Sequence, residues 1–179
     1  MDVMLDLETL GTRPGCVILT LGAVKFNPYT MEDPGPGLYI RPDADEQIAR
    51  GRTIQEDTLE WWMRQAEDVR EEALGTEGRI PVEDMYRQLN RFLVGVDNIW
   101  CQGPVFDIAI LENLYEQYGW PTPWQFWQIS DSRTLFKVHG DPREKNKAGL
   151  HNALEDCVSQ AQAVQTIYQK LGLEPRFKK

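Results

Sequence analysis

Cysteine, histidine and positive charge are all scarce in this chain, and it has no long apolar run. The three cysteines, Cys16, Cys101 and Cys157, are an odd and scattered set without a CxxC pair. That pattern fits free thiols in a reducing, cytoplasmic compartment better than a disulfide framework or a zinc knuckle. No apolar stretch approaches the roughly 18 residues of a membrane span, so no membrane association is expected. The first residues enter a strand-like run directly, without a basic leader, apolar segment and cleavage site, so no signal peptide is expected either. Lys and Arg number 19 against 28 Asp and Glu, a formal net charge of −9. Rows of basic residues, which supply most of the attraction to a long duplex, are therefore missing. A protein that grips only a nucleic-acid end is not excluded, because cations in an acidic pocket reverse the local field. No repeat, low-complexity tract or linker divides the 179 residues, a length that suits one domain with a real core.

What is present begins at MDVMLDLETLG. The run reads as a buried strand, yet it carries Asp6 and Glu8, residue types that strands avoid. Side chains alternate along a strand, so Val3, Leu5 and Leu7 face one way while Met4, Asp6 and Glu8 face the other. Two carboxylates then share one face, with Cα atoms about 6–7 Å apart.

The remaining pattern gives the frame. Strands are expected over 2–7, 16–26 and 38–41, an antiparallel opening meander, with the turn-rich NPYTMEDPGPG between the last two. Helices follow at 55–68 and 81–94, with Pro81 at a first helical position and EEALGTEGR as a loop between them. A short strand at 98–101 leads to a helix over 104–118 ended by Gly119, then a strand at 126–130 and a short helix at 132–138. A polar, basic loop at 139–149 precedes a long helix from 153 to 171. This order describes an α/β fold: a mixed five-stranded sheet with helices on both faces.

Two further acids stand out. On a 104–118 helix, Asp107 shares a face with the apolar Ile110, Leu111 and Leu114. An acid on a core-facing stripe is costly unless something pairs with it, although N–H groups of the first helical turn could satisfy it. In HNALEDC, Asn152 followed by Glu155 fits a helix N-cap with Glu at the third helical position. Asp156 then lies in the helix. His151 and Asp156 would be about 140° apart within one helix, so they can face one site only if His151 belongs to the preceding loop. A histidine at a loop end beside acids suits a general base.

DLETLG, then FD opening a helix, then HxxxxD near the C-terminus resembles the DEDDh 3′–5′ exonucleases. WCQGPVFDIAIL, SDSRTL, HNALEDC and TLEWWMRQ are most similar to small bacterial and bacteriophage exonucleases of the DexA type. The resemblance spans nearly the whole chain and implies a ribonuclease-H-like fold. It makes Asp6, Glu8, Asp107 and Asp156 the acids that hold two Mg²⁺ or Mn²⁺ ions, and His151 the general base. The implied reaction releases nucleoside 5′-monophosphates from the 3′ end of single-stranded DNA or RNA. Thr9 and Leu10 would touch the terminal nucleotide, Leu10 against its base. Phe106 would stack near it or pack in the core, and Gln102 stands where relatives often carry Asn. Arg143, Lys145 and Lys147 could guide phosphates or form a plain solvated loop. Trp61 and Trp62 could form a stacking wall, but neighbours on a helix point about 100° apart, so at most one faces the core squarely. Trp120, Trp124, Phe126 and Trp127 read as packing. A homodimer is expected from the relatives. The competing readings are a two-metal endonuclease or phosphatase on the same fold, which the His151-to-Asp156 spacing disfavours, and a degenerate binding domain, which the loss of one of the five residues would have favoured.

Overall fold

The computed structural model describes residues 1–143 and 152–175. In chain order it contains β1 (Asp2–Thr9), β2 (Ile18–Phe26), β3 (Gly37–Ile40), α1 (Ala44–Ala49), α2 (Glu56–Met63), α3 (Glu67–Leu74), α4 (Val82–Phe92), β4 (Ile99–Cys101), α5 (Asp107–Tyr118), a 3₁₀ turn (Phe126–Gln128), β5 (Ile129–Asp131), α6 (Ser132–His139) and α7 (Ala153–Lys170). The strands form one sheet in the order β3-β2-β1-β4-β5. The first three make the expected antiparallel meander, while β4 runs parallel to β1 and β5 parallel to β4. Parallel neighbours need a crossover; α5 makes the one between β4 and β5. No helix among the described residues is long and apolar enough to cross a membrane.

The alternation in β1 sets the two faces. Val3, Leu5 and Leu7 pack with Val82, Met85 and Leu89 of α4 and Ile110, Leu111 and Leu114 of α5. Met4 packs on the other face with Phe136 of α6 and Cys157, Ala161, Val164 and Ile167 of α7. A third cluster, Leu10, Val17, Leu19, Trp62 and Ala73, closes the end of the sheet beneath α2 and α3.

Several elements differ from the expectation, each for a local reason. The single helix expected over 55–68 is two helices, because Ala66 takes an extended conformation (φ −55°, ψ 152°) and caps α3. Glu67 and Asp68 then occupy the first turn of α3, where the helix dipole favours acids, and the helix runs on into the stretch expected as a loop. Each of the two helices has one buried anchor, Trp62 in α2 and Ala73 in α3, so neither shows a periodic stripe. The unexpected α1 is held through Gln47, whose buried amide accepts from Ile18 N–H and donates to Ile18 C=O. Pro81 is the N-cap of α4, not its first helical residue, and α5 starts at Asp107 with Phe106 as its N-cap. The strand expected at 126–130 shortens to β5, because Gln125 and Gln128 cap each other around the 3₁₀ turn. Gly119, at φ 71°, ends α5 in the left-handed conformation, as the sequence indicated.

Gly22 of β2 lies directly across from Asp6, and a Cβ there would overlap the backbone of Ala153 and Leu154. The missing side chain lets the start of α7 rest on the sheet. Gly22→Ala should therefore push α7 away and destabilise the protein by about 1–3 kcal/mol, the usual cost of overpacking. Urea unfolding reads this directly, and an unchanged midpoint would mean that α7 can shift without strain.

Candidate active site

Beyond residue 4, β1 loses its parallel neighbour, since its pairing with β4 ends at Met4 opposite Trp100. In the gap, the N–H of Leu7 donates to Asp107 Oδ1 at 3.2 Å. The carboxylate of Asp107, at the first residue of α5, thus takes the place of a strand acceptor, and it is buried. On the opposite face of β1, Asp6 and Glu8 point toward the first turn of α7, which carries Asp156. The Asn152 side chain caps that helix by accepting from the N–H groups of Leu154 and Glu155, which fixes where Asp156 projects. Asp6, Glu8 and Asp156 each offer a carboxylate oxygen within 4.8 Å of the others.

Bringing these acids together without a cation is unfavourable, and their acidities record it. Burial first, then the Asp156 charge, pushes Asp6 up to about 7. Burial and the charges of Asp6, Asp156 and Asp107 push Glu8 up to about 9. Burial raises Asp156 to about 6, against the field of Arg143. Asp107 is raised by burial and by Asp6, while the Leu7 N–H opposes the shift. Hard carboxylate oxygens that repel one another, with Arg143 only partly offsetting their charge, suit Mg²⁺ or Mn²⁺. The donor set therefore fits a divalent-ion site formed by Asp6, Glu8 and Asp156, with Asp107 adjoining.

Past Glu8, an open cleft of about 300 Å³ is lined by Glu8, Thr9, Thr12, Asp57, Trp61 and Phe106, among others. Trp62 turns fully into the core and donates its indole N–H to Thr9 C=O at 2.9 Å. Trp61, 39% exposed, meets it edge-on and lines the cleft. Thr9 and Phe106 thus stand where a ligand in the cleft would touch them. Leu10 is buried in the cluster that includes Trp62 and is not among the residues lining this cleft. Gln102 faces Arg143, which donates to its Oε1 at 2.8 Å, pairs with Asp141 at 2.6 Å and stacks over Phe136. Trp120 and Trp124 pack among Tyr86, Tyr115 and Tyr118. Phe126 and Trp127, expected to pack as well, are 83% and 65% exposed. His151, Lys145 and Lys147 lie outside the described residues.

One site residue escaped the sequence reading. Gln160 of α7 donates from Nε2 to Asp6 Oδ1 at 3.1 Å. It follows Asp156 by four residues and interrupts the apolar stripe of Cys157, Ala161 and Val164, which is the signal that could have found it.

A central strand with two acids, met by one acid from the following crossover helix and one from the last helix, is the arrangement of the DEDDh exonucleases. The chain belongs to the family described as the 3′-5′ exoribonuclease Rv2179c-like domain, whose model matches residues 1–168. It is thus a 3′–5′ exonuclease. It is 26% identical over 193 aligned positions to the exodeoxyribonuclease of Enterobacteria phage T4, covering 87% of this chain and 84% of that protein. Among solved structures, its fold is similar to the nuclease domain of 3′hExo, a DEDDh family member bound to rAMP (TM-score 0.58, 14% identity, 99% of this chain and 96% of that one). It is also similar to Exonuclease X in complex with 5′ overhanging duplex DNA (TM-score 0.55, 17% identity, 97% and 95% covered). At those identities the two structures speak for the ribonuclease-H-like fold alone.

The raised acidities give a pH-dependent expectation. Asp6, Glu8 and Asp156 titrate at about 7, 9 and 6 in the folded chain, against ordinary values of 3.8 for Asp and 4.5 for Glu. Between about pH 4 and pH 9 the folded state therefore binds more protons here than the unfolded one, so this site's contribution to stability falls as pH rises through that window. A divalent ion that replaces those protons should stabilise the protein more at about pH 8 than at about pH 6. Thermal midpoints with chelator and with Mn²⁺ check it; equal Mn²⁺ stabilisation at both pH values would count against the ion site.

Proposed function

We propose that the protein removes nucleotides one at a time from the 3′ end of single-stranded nucleic acid, releasing nucleoside 5′-monophosphates. In this reading Asp6, Glu8, Asp107 and Asp156 hold two divalent cations, Mg²⁺ or Mn²⁺, and His151 is the general base. The observation that carries it is the convergence of the Asp6, Glu8 and Asp156 oxygens within 4.8 Å, with the cleft opening directly beyond Glu8. Bound divalent ions would supply Lewis-acid charge at the phosphate and a more acidic water.

The chain's own residues do the rest. His151 accepts a proton from the attacking water as its oxygen bonds to phosphorus. The bond from phosphorus to the 3′ oxygen of the penultimate nucleotide breaks, and that oxygen leaves with the bonding pair and takes a proton from solvent to become a free 3′ hydroxyl. Thr9, Phe106 and Trp61 border the terminal nucleotide in the cleft. An aromatic wall accepts any base, because every base has a π face. Arg143, which contacts Gln102 and Asp141, would meet a phosphate in this reading. The family description speaks of RNA and the phage relative's name of DNA, so either sugar belongs to this reading. Assembly as a homodimer and a cytoplasmic location are proposed with it; the three cysteines, free and buried, suit a reducing compartment, and light scattering checks the first.

Matched single-stranded DNA and RNA oligonucleotides, 5′-labelled and incubated with Mg²⁺ or Mn²⁺, test the proposal. A ladder shortening from the 3′ end with release of 5′-mononucleotides is expected. Internal fragments would indicate an endonuclease, and no product a binding domain. Asp6→Ala should abolish nearly all turnover. His151→Ala should lower the rate by about 10²–10⁴-fold, the usual contribution of a general base, with little change in Mn²⁺ affinity. Full activity in either variant would overturn its assigned role.

A further inference from the structure

Asp6 has little side-chain bracing for a residue at the centre of the sheet. Across from it on β2 stands Gly22, which has no side chain to offer, and the paired stretch of β4 ends before reaching it. Among the described residues, the hydrogen bond to its carboxylate comes from Gln160, whose Nε2 lies 3.1 Å from Oδ1. Gln160 is 4% exposed, and its own Oε1 is buried without a partner among the described residues. It lies one turn beyond Asp156 on the same face of α7, in a stripe otherwise filled by Cys157, Ala161 and Val164 against Met4 and Val24.

Apart from its hydrogen bond to Asp6, nothing at this position favours an amide for stability. A long side chain is ordered and an acceptor is orphaned, where an apolar residue of similar volume would pack without either cost. Orphaned buried groups in native proteins call for a functional explanation. The chemistry of the position supplies one. A Lys or Arg could also brace Asp6, but its charge would compete with a cation, and Ser or Thr is shorter. A neutral amide N–H holds the carboxylate without adding charge.

We propose that Gln160 is a positioning residue for Asp6: its amide fixes the carboxylate in the orientation that meets Glu8 and Asp156, and so sets the affinity of the site for divalent ions. This inference rests on the divalent-ion site described above but not on which nucleic acid is cleaved. Residues that hydrogen-bond metal ligands typically contribute 10–100-fold to affinity.

Gln160→Leu and Gln160→Met remove the donor while keeping bulk, and the second guards against a folding failure of the first. Calorimetric titration of the ion-free proteins with Mn²⁺ should show affinity lowered by about tenfold or more in both. Urea unfolding in chelator should show midpoints close to the wild type, since each variant loses the orphaned acceptor together with the hydrogen bond to Asp6. Affinity falling while ion-free stability holds is a split that a purely structural role would not produce. Mn²⁺ affinity within about twofold of wild type, or affinity and ion-free stability falling together in both variants, would overturn the proposal. A wild type that binds no Mn²⁺ would overturn it as well. A wild type that binds Mn²⁺ but releases no mononucleotides would sink the proposed reaction and leave the role of Gln160 standing.

Discussion

Mutual repulsion among carboxylates is the constraint around which this structure is arranged. Like charges in a partly buried site raise one another's pKa and oppose the fold that brings them together, and Asp6, Glu8 and Asp156 stand within 4.8 Å. Each is held by an element with independent reasons to be where it is. β1 is the central strand, clasped between an antiparallel and a parallel neighbour. α7 is capped by Asn152 and buries an apolar stripe along its length. The acids are passengers on well-packed elements, so the packing of Met4, Cys157, Ala161 and Val164 offsets the electrostatic cost of the site.

Asp107 differs in kind from the other three. Its carboxylate is committed to the Leu7 N–H, where the end of the β1–β4 pairing would leave a buried donor without an acceptor. An unmet donor there would itself be costly. Asp107 therefore closes the sheet and adjoins the acidic cluster with the same group, which couples the strand gap to the site. The gap also lets the chain after β4 turn away through Gly103 at φ 126°, a conformation that favours glycine. That turn delivers Phe106 to the edge of the cleft.

Much of this was legible in the sequence because it depends on local rules. The two-residue period of β1 placed Val3, Leu5 and Leu7 on one core and the acids on the other face, as found. The Asn152 cap and the Gly119 stop depend on a few adjacent residues, and both are observed. What could not be read depends on partners far away in sequence. Gln47 is buried because its amide meets the backbone of Ile18 on β2, which no helical period announces. The burial of Leu10 in one cluster with Trp62 likewise depends on a partner about fifty residues away. Gln160 was invisible as a partner of Asp6, since the two are 154 residues apart.

The charge balance of the molecule bears on how such a site can receive a polyanion. A chain at −9 repels phosphates at long range, and an ion-free acidic cluster repels them at short range. Under the proposed reaction the attraction must therefore be local. The cations in the site would reverse its sign, and Arg143 would add one positive group beside it. The cleft walls, Trp61 and Phe106, add contact that does not depend on charge. None of these reaches far along a strand. Three short-range attractions at one place, on a surface otherwise unfavourable to nucleic acid, favour a terminus over an internal segment: an end brings fewer phosphates into the repulsive field and can enter the cleft without bending. The same acidic surface that argues against tight duplex binding thus argues for action at a strand end.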